Sequence, residues 1–211
     1  MKNKIAIIAN GTINDTKFHK KLLDDVDIIL CADGGANTAK KMDIIPDYII
    51  GDLDSADSSV IDFFKKNKTK IIHDNNQNKT DLELALALAE NLNPNDIIIL
   101  GAIGDRIDHT LANILCLTKI KSNVKAQIID NKNTIELIRD SIDFKGDKND
   151  VVSVIPLEDI SNLNYTGLKW NVKNLDTKLG WFGISNRFVN NKANISFLKG
   201  KLLVIKVREE K

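Results

Sequence analysis

Between its start and about Asp130 the chain alternates short, β-branched apolar runs with longer amphipathic ones. Residues 4–9, 26–31, 48–50, 69–73, 96–101 and 126–130 read as strands, with helices in the intervals. These strands show little alternation of apolar and polar positions, the pattern of a parallel sheet covered by helices on both faces. One helix opens at Thr80-Asp81-Leu82-Glu83, which has the spacing of a capping box. Leu82, Leu84, Ala85, Leu86 and Leu88 give it an apolar face up to Asn93-Pro94. A second helix is expected over 107–120. Beyond Asp130 the period changes. Residues 134–138, 151–156, 163–168, 181–189, 193–197 and 202–207 are short strand-like runs separated by Asn, Gly, Lys and Asp, and no further helix is expected. The fold class is α/β: an N-terminal open, mostly parallel sheet flanked by helices over residues 1–130, then a smaller all-β sandwich domain over residues 131–211.

Composition narrows the partners. A chain of 211 residues buries roughly 70% of its unfolded surface, so a core needs no staples. Lys+Arg total 30 against Asp+Glu 29, and a formal charge of +1 offers nothing to draw the chain to nucleic acid or to a membrane surface. Small molecules are the expected partners. Cys31 and Cys116 each lie in an apolar run without a second Cys or His at metal spacing, so they read as buried free thiols of a cytoplasmic protein. The first residues lack the pattern of a signal peptide, and no run approaches the length of a membrane span.

Candidate chemistry gathers where strands end, which is where open α/β sheets bind ligands. Gly51-Asp52-Leu53-Asp54-Ser55 follows the strand ending at Ile50. Gly51 permits a sharp exit, and Ser55 with Ala56-Asp57 is expected to cap a helix running through Lys66. If the exit stays extended, Asp52 and Asp54 face one way while Leu53 turns to the core. Hard oxygen ligands of this kind suit Mg²⁺. An isolated Asp-x-Asp reads more readily as a solvated turn capping a helix, so other loops must decide. In Ala32-Asp33-Gly34-Gly35-Ala36-Asn37 the paired glycines either let the backbone approach a nucleotide or form an ordinary strand-to-helix turn. In the loop from Asp74 to Asp81, Lys79 can meet phosphate. Thr80 and Asp81 stand at a helix N-terminus, where an acid favours the dipole or holds a metal. In Gly101-Ala102-Ile103-Gly104-Asp105-Arg106-Ile107-Asp108-His109 the arginine fork suits anionic oxygens. His109, four residues before Asn113, reads as a packed bridge between helix and loop or as a base.

Ala-Asp-Gly-Gly-Ala-Asn at 32–37, Gly-Asp-Leu-Asp-Ser at 51–55, Lys-Thr-Asp-Leu-Glu at 79–83 and Gly-Asp-Arg-Ile-Asp-His at 104–109 resemble, in order and spacing, the thiamine pyrophosphokinase family. Gly183-Ile184-Ser185-Asn186 in the β half follows as in that family, so the resemblance covers almost the whole chain. It implies Mg²⁺-dependent transfer of a diphosphoryl group from ATP to the hydroxyl of thiamine, giving thiamine diphosphate and AMP. By resemblance Asp52, Asp54 and Asp81 hold the metal and, with Arg106 and Asp108, form the catalytic set. Gln77 and Thr80 join Arg106 and Asp108 around the phosphates. Asp33, Gly34, Gly35, Asn37, Lys79 and His109 fall on the ATP side. Ser185 and Asn186 contact thiamine across a homodimer interface, which makes the β half the thiamine-binding and dimerisation domain.

Two positions depart from the family pattern. Asn78 stands where Asp is common and Asp105 where Gly is common. The first removes a ligand charge, and the second adds one beside the phosphate arginine. Trp170, Trp181 and Phe182 read as sandwich core or as stacking surfaces for thiamine. Two other readings stand beside this one: a regulator that holds a Mg-nucleotide without chemistry, and a nucleotidyl or sugar-phosphate transferase using the Asp-x-Asp pair.

Overall fold

The computed structural model describes residues 3–208, in two compact units that divide between Asn131 and Lys132. In the first unit six strands, β1 (Lys4–Ile8), β2 (Ile28–Ala32), β3 (Tyr48–Gly51), β4 (Lys70–His73), β5 (Asp96–Leu100) and β6 (Lys125–Ile129), lie in the order β6-β5-β1-β2-β3-β4. Every pairing among them is parallel. Ile5, Ala6, Ile7 and Ile8 are all fully buried, which explains why β1 carries no polar alternation: helices cover both of its faces. On one face Ala6, Ile8, Cys31, Ile49, Ile98 and Leu100 form a cluster with Ala36 and Ala39 of α2 (Gly35–Lys41) and Ile61 and Phe64 of α3 (Ser58–Lys66). Ile5, Ile7, Leu30, Ile97 and Ile99 point to the other face by strand alternation. They too are buried.

The helix expected from Thr80 is α4 (Asp81–Asn91), packed against β1, β2 and β3, and its capping box is complete. The Glu83 N–H donates to Thr80 Oγ1 at 3.3 Å and the Thr80 N–H to Glu83 Oε2 at 2.9 Å. Glu83 also pairs with the Lys119 ammonium. Two other expectations shift. α3 begins at Ser58 rather than at Ser55, with Asp57 in the N-cap position and no side-chain capping bond. The helix expected over 107–120 is α5 (Ile107–Leu115) followed by a 3₁₀ turn, Cys116–Lys119. A short helix, α1 (Thr16–Leu22), precedes β2 and is capped by Asp15, whose carboxylate accepts from the Phe18 N–H. No helix among the described residues is long and apolar enough to cross a membrane.

The second unit holds β7 (Asn133–Ile138), β8 (Ser141–Lys145), β9 (Val151–Pro156), β10 (Ile160–Thr166), β11 (Val172–Thr177), β12 (Gly183–Arg187), β13 (Lys192–Ser196) and β14 (Leu202–Val207). They form two antiparallel arrays, β12-β9-β14-β7 and β11-β10-β13-β8. Val152, Val154, Leu202 and Val204 from the first array share a core with Leu163, Tyr165, Ala193 and Ile195 from the second, the sandwich expected from the sequence. β8 and β11 were absent from that expectation. Both lie at an edge; β8 alternates exposed with half-buried positions and β11 has exposed Lys173, Asn174 and Asp176 among its six residues, so neither carries an apolar run.

Gly35 shows how tightly α2 sits on the sheet: a Cβ there would fall 2.0 Å from the Ile8 carbonyl oxygen. Backbone cannot yield as a flexible side chain would. Gly35→Ala is therefore expected to cost about 1–3 kcal/mol of stability by overpacking, read as a lower urea midpoint at unchanged slope. An unchanged midpoint would show that α2 can move away from β1.

Candidate active site

Strand order decides where a ligand can enter. The chain winds from β1 outward to β4, then crosses back to lay β5 against the other edge of β1, so the loops after β1 and β5 part in opposite directions. A cleft of about 670 Å³ opens between them. Asn10 and Gly11 line it from the β1 loop, Ala102, Gly104, Asp105 and Arg106 from the β5 loop, and Asp108, His109, Ala112 and Asn113 from α5. The two loops are tied by hydrogen bonds from Gly11 N–H to the Gly101 carbonyl, 2.6 Å, and from Thr12 N–H to the Ile103 carbonyl, 2.9 Å. Asn113 Nδ2 donates to the Ala102 carbonyl at 2.8 Å, and Thr110 Oγ1 accepts from the Gly104 N–H at 3.1 Å, so the first turns of α5 hold the loop in place. His109 is exposed in the cleft rather than packed as a bridge.

Thr80, Asp81 and Ser55 also line this cleft, and acids gather on that side. Carboxylate oxygens of Asp33, Asp52 and Asp54 lie within 4.8 Å of one another. Asp81 senses all three. Burial and then the charges of Asp33, Asp52 and Asp54 push its carboxyl from the usual 3.8 up to about 6. Asp33 is only 2% exposed, and burial raises its pKa against the hydrogen bonds it accepts. Its Oδ2 accepts from the Ser55 N–H at 3.1 Å, but its buried Oδ1 has no partner among the described residues. Four acids, one with an orphaned buried oxygen, form a donor set that fits a hard divalent cation such as Mg²⁺.

The convergence of Asp52 and Asp54 has a different backbone cause from an extended exit. Leu53, between them, takes the left-handed conformation at φ 64°, and Asp33 at φ 41° does likewise. Leu53 still reaches the core, packing against the cluster under α3. Gly51 at φ 148° leaves room for the acids: a Cβ there would fall 2.8 Å from Asp81 Oδ1 and 2.9 Å from Asp33 Cβ.

Arg106 and Asp108 form a bidentate pair, Nε to Oδ1 at 3.2 Å and Nη2 to Oδ2 at 2.6 Å, exposed at the cleft. The guanidinium holds the Asp108 carboxyl down at about 2, and Asp105 adds to the negative field around Arg106. Other residues singled out from the sequence stand apart from the cleft walls. Gln77 and Lys79 lie on an exposed loop after β4, ordered by bonds from Asn76 N–H to Asp74 Oδ1 and from Asn78 N–H to Asn76 Oδ1. Gly34 and Gly35 are buried. Added side chains there would strike Asn10 and the Ile8 carbonyl, so the pair lets α2 close on β1. Asn37 binds the chain at Ser55 and Asp57 through both ends of its amide.

In the second unit Ser185 is exposed on β12 at φ 61°, whereas Asn186 is 5% exposed. The Asn186 amide bonds the Trp170 backbone, accepting from its N–H at 3.0 Å and donating to its carbonyl at 2.6 Å. Trp170 and Phe182 are exposed, while Trp181 packs against the sandwich core. Asn10 and the place of Asp33 among the acids escaped sequence reading, since both depend on strand order.

A family profile described as "Thiamin pyrophosphokinase, catalytic domain" matches residues 19–129. The chain belongs to the thiamine pyrophosphokinase family. A second profile, "Thiamin pyrophosphokinase, vitamin B1 binding domain", matches residues 134–202. The chain is 33% identical over 208 residues to the thiamine pyrophosphokinase of Bacillus subtilis (strain 168), covering 96% of this chain and 97% of that protein. A rice relative, thiamine pyrophosphokinase 1, is 26% identical over 78% of this chain and 72% of its own length. Among solved structures, that of the Bacillus subtilis thiamine pyrophosphokinase superposes with a TM-score of 0.88 at 32% identity, covering 99% of this chain and 100% of that one. The Geobacillus thermodenitrificans family structure gives 0.85 at 25% identity, with 99% of each chain covered.

The raised carboxyl of Asp81 makes metal-free stability depend on pH. A group with a folded pKa above its unfolded value contributes stability that is present below the unfolded pKa and lost as pH rises through the folded one. Asp81→Asn mimics the neutral form at every pH. In EDTA its melting temperature is expected to match the parent's near pH 4, rise above it between about pH 4 and 6, and hold that lead at higher pH. A difference that stays flat across this range would show that Asp81 does not carry the strain of the cluster.

Proposed function

We propose that the protein transfers a diphosphoryl group from ATP to the hydroxyl of thiamine, releasing AMP and thiamine diphosphate. The observation that carries this reading is the match of both family profiles, in order, to a chain whose switch-point cleft meets an acidic cluster. It displaces the two rivals, a non-catalytic nucleotide regulator and a nucleotidyl or sugar-phosphate transferase. The thiamine hydroxyl oxygen bonds to the β-phosphorus as the bond from that phosphorus to the α,β-bridging oxygen breaks. AMP leaves on that oxygen, and the hydroxyl proton is released.

Mg²⁺ is the proposed metal, held by Asp52, Asp54 and Asp81 with Asp33 beside them. When bound it neutralises charge on the phosphate oxygens. Arg106 presents its fork to the transferring oxygens once Asp108 yields one edge of it, and Asp108 keeps that fork aimed across the cleft meanwhile. Thr80 offers a helix N-terminus to phosphate, and His109 lines the same wall. Gln77 and Lys79 reach the phosphates from their exposed loop. Asn10 and Gly11 face the nucleotide. Ser185 serves thiamine, while Asn186 supports it by holding Trp170.

The expected products are AMP and thiamine diphosphate in equal amounts, with turnover stopped by EDTA. ADP with thiamine monophosphate would sink the reading. Asp54→Asn is expected to abolish turnover while leaving the metal-free protein at least as stable, because the amide keeps the shape and removes a like charge. Mg²⁺ with nucleotide is expected to raise the melting temperature of the parent far more than that of the variant. An active Asp54→Asn protein would remove the metal role of this residue.

We further propose a homodimer in which the β half of a second copy contributes Ser185. α5 supports it, since Ile107, Leu111 and Leu115 form an exposed apolar stripe at four-residue spacing. Light scattering is expected to give twice the 23.5 kDa chain mass, and a monomer with full activity would refute the shared site. A cytoplasmic setting is the proposal that fits two free, buried cysteines.

A further inference from the structure

The sheet lets go of the chain at Gly51. The last ladder-like bonds there run from Asp33 N–H to the Ile50 carbonyl and from Asp74 N–H to the Gly51 carbonyl, both 2.9 Å. From Asp52 to Asp57 the segment belongs to no helix or strand, and Leu53 sits in a left-handed conformation that non-glycine residues rarely adopt. Bonds within the segment are local: Asp54 N–H to Asp52 Oδ1 at 3.3 Å, and Ser55 Oγ to Asp54 Oδ1 at 2.9 Å. Neither ties the turn to the body of the protein. Its two carboxylates repel each other and Asp33, so the turn is pushed to open.

The Ser55 N–H, donated to Asp33 Oδ2 at 3.1 Å, opposes that from within the cluster, and two side chains outside it do so from opposite sides. Asn37, in the first turn of α2, donates from Nδ2 to the Ser55 carbonyl and accepts at Oδ1 from the Asp57 N–H, each at 3.0 Å. His73 ends β4, the strand on the other side of β3, and its Nε2 lies 3.0 Å from the Asp52 carbonyl. A carbonyl only accepts, so Nε2 carries the proton. Asn37 grips the exit of the turn and His73 its entrance. Both ends of the Asn37 amide are committed to the turn.

We propose that Asn37 and His73 are positioning residues for the reaction: they hold the backbone of the acidic turn so that Asp52 and Asp54 meet the cation and its diphosphate already in place. The proposal rests on the divalent-cation reading of the cluster. Partners of this kind, one shell out from a metal, are worth roughly tenfold to a hundredfold in metal affinity. They touch neither thiamine nor phosphate.

The test uses the full chain with Mn²⁺ and the non-cleavable α,β-methylene analogue of ATP. Mn²⁺ binding is read by electron paramagnetic resonance, beside Mg²⁺ activation curves with ATP and thiamine. Asn37→Ala and His73→Ala are each expected to weaken Mn²⁺ binding about tenfold or more and to raise the Mg²⁺ needed for half-activation similarly, with the thiamine KM unchanged. His73→Gln, whose amide also donates, is expected to restore most of the affinity. A purely structural role would lower the melting temperature but leave Mn²⁺ affinity intact well below it, and that result in both alanine variants overturns the proposal. Should Asn37→Ala fail to fold, His73→Ala and His73→Gln decide, since His73 is exposed at a strand end. A parent that binds no Mn²⁺ with the analogue would instead refute the cation reading itself. Binding by the parent with equal binding by the variants refutes only the clamp.

Discussion

Like charges held together without a counter-charge are the constraint around which the first unit is built. Asp33, Asp52, Asp54 and Asp81 come from three loops and converge at the ends of β2, β3 and β4, and the buried Oδ1 of Asp33 has no partner among the described residues. Each neighbour of this cluster makes room for it or restrains it. Gly51 withholds a side chain where a Cβ would meet Asp81, Ser55 gives its N–H to Asp33, and the α4 N-terminus turns its positive dipole end toward Asp81. The raised carboxyl of Asp81 records how incomplete these measures are. Instability is concentrated where a cation would relieve it, a common arrangement at sites that bind charge.

The parts of the fold legible in the sequence are those where one residue type has one physical meaning. Ile5–Ile8 and Ile97–Leu100 are apolar at every position because both faces of those strands are buried, and the Thr80–Glu83 spacing has a single structural use. β8 and β11 were not legible, because an edge strand with one wet face needs few apolar residues. The start of α3 was misplaced for a related reason. Ser55 is a good capping residue, but here its hydroxyl donates to Asp54 and its N–H to Asp33. Chemistry of the turn took precedence over capping.

The site was legible in outline. The acids, Arg106 and the α4 N-terminus follow from motifs, but their grouping depends on strand order, which no local pattern encodes. Asp33 reads as a nucleotide-side residue until β2 is seen beside β3, where it becomes a fourth acid. Asn37 and Asn186 read as ligand contacts by family resemblance, yet both spend their amides on backbone groups. An exposed Asn and a buried one look the same in a sequence. Only the accounting of donors and acceptors separates them.

Strand order also bears on how the chain reaches its native state. β1 lies between β2 and β5, so Ile5 faces Ile28 on one side and Ile97 on the other. On a ribosome the first partner emerges soon after β1, whereas the second follows only after β3, β4 and α4 have been made. During that interval one edge of a strand buried from Ile5 to Ile8 stands open, next to the segment that will become the cleft. Closing it requires a contact of long sequence separation, a slow kind of event. The geometry that creates a ligand site at the switch point thus also leaves the nascent chain with one edge of β1 unpaired until β5 is made, and an unpaired apolar edge is a place where unfinished chains misassemble.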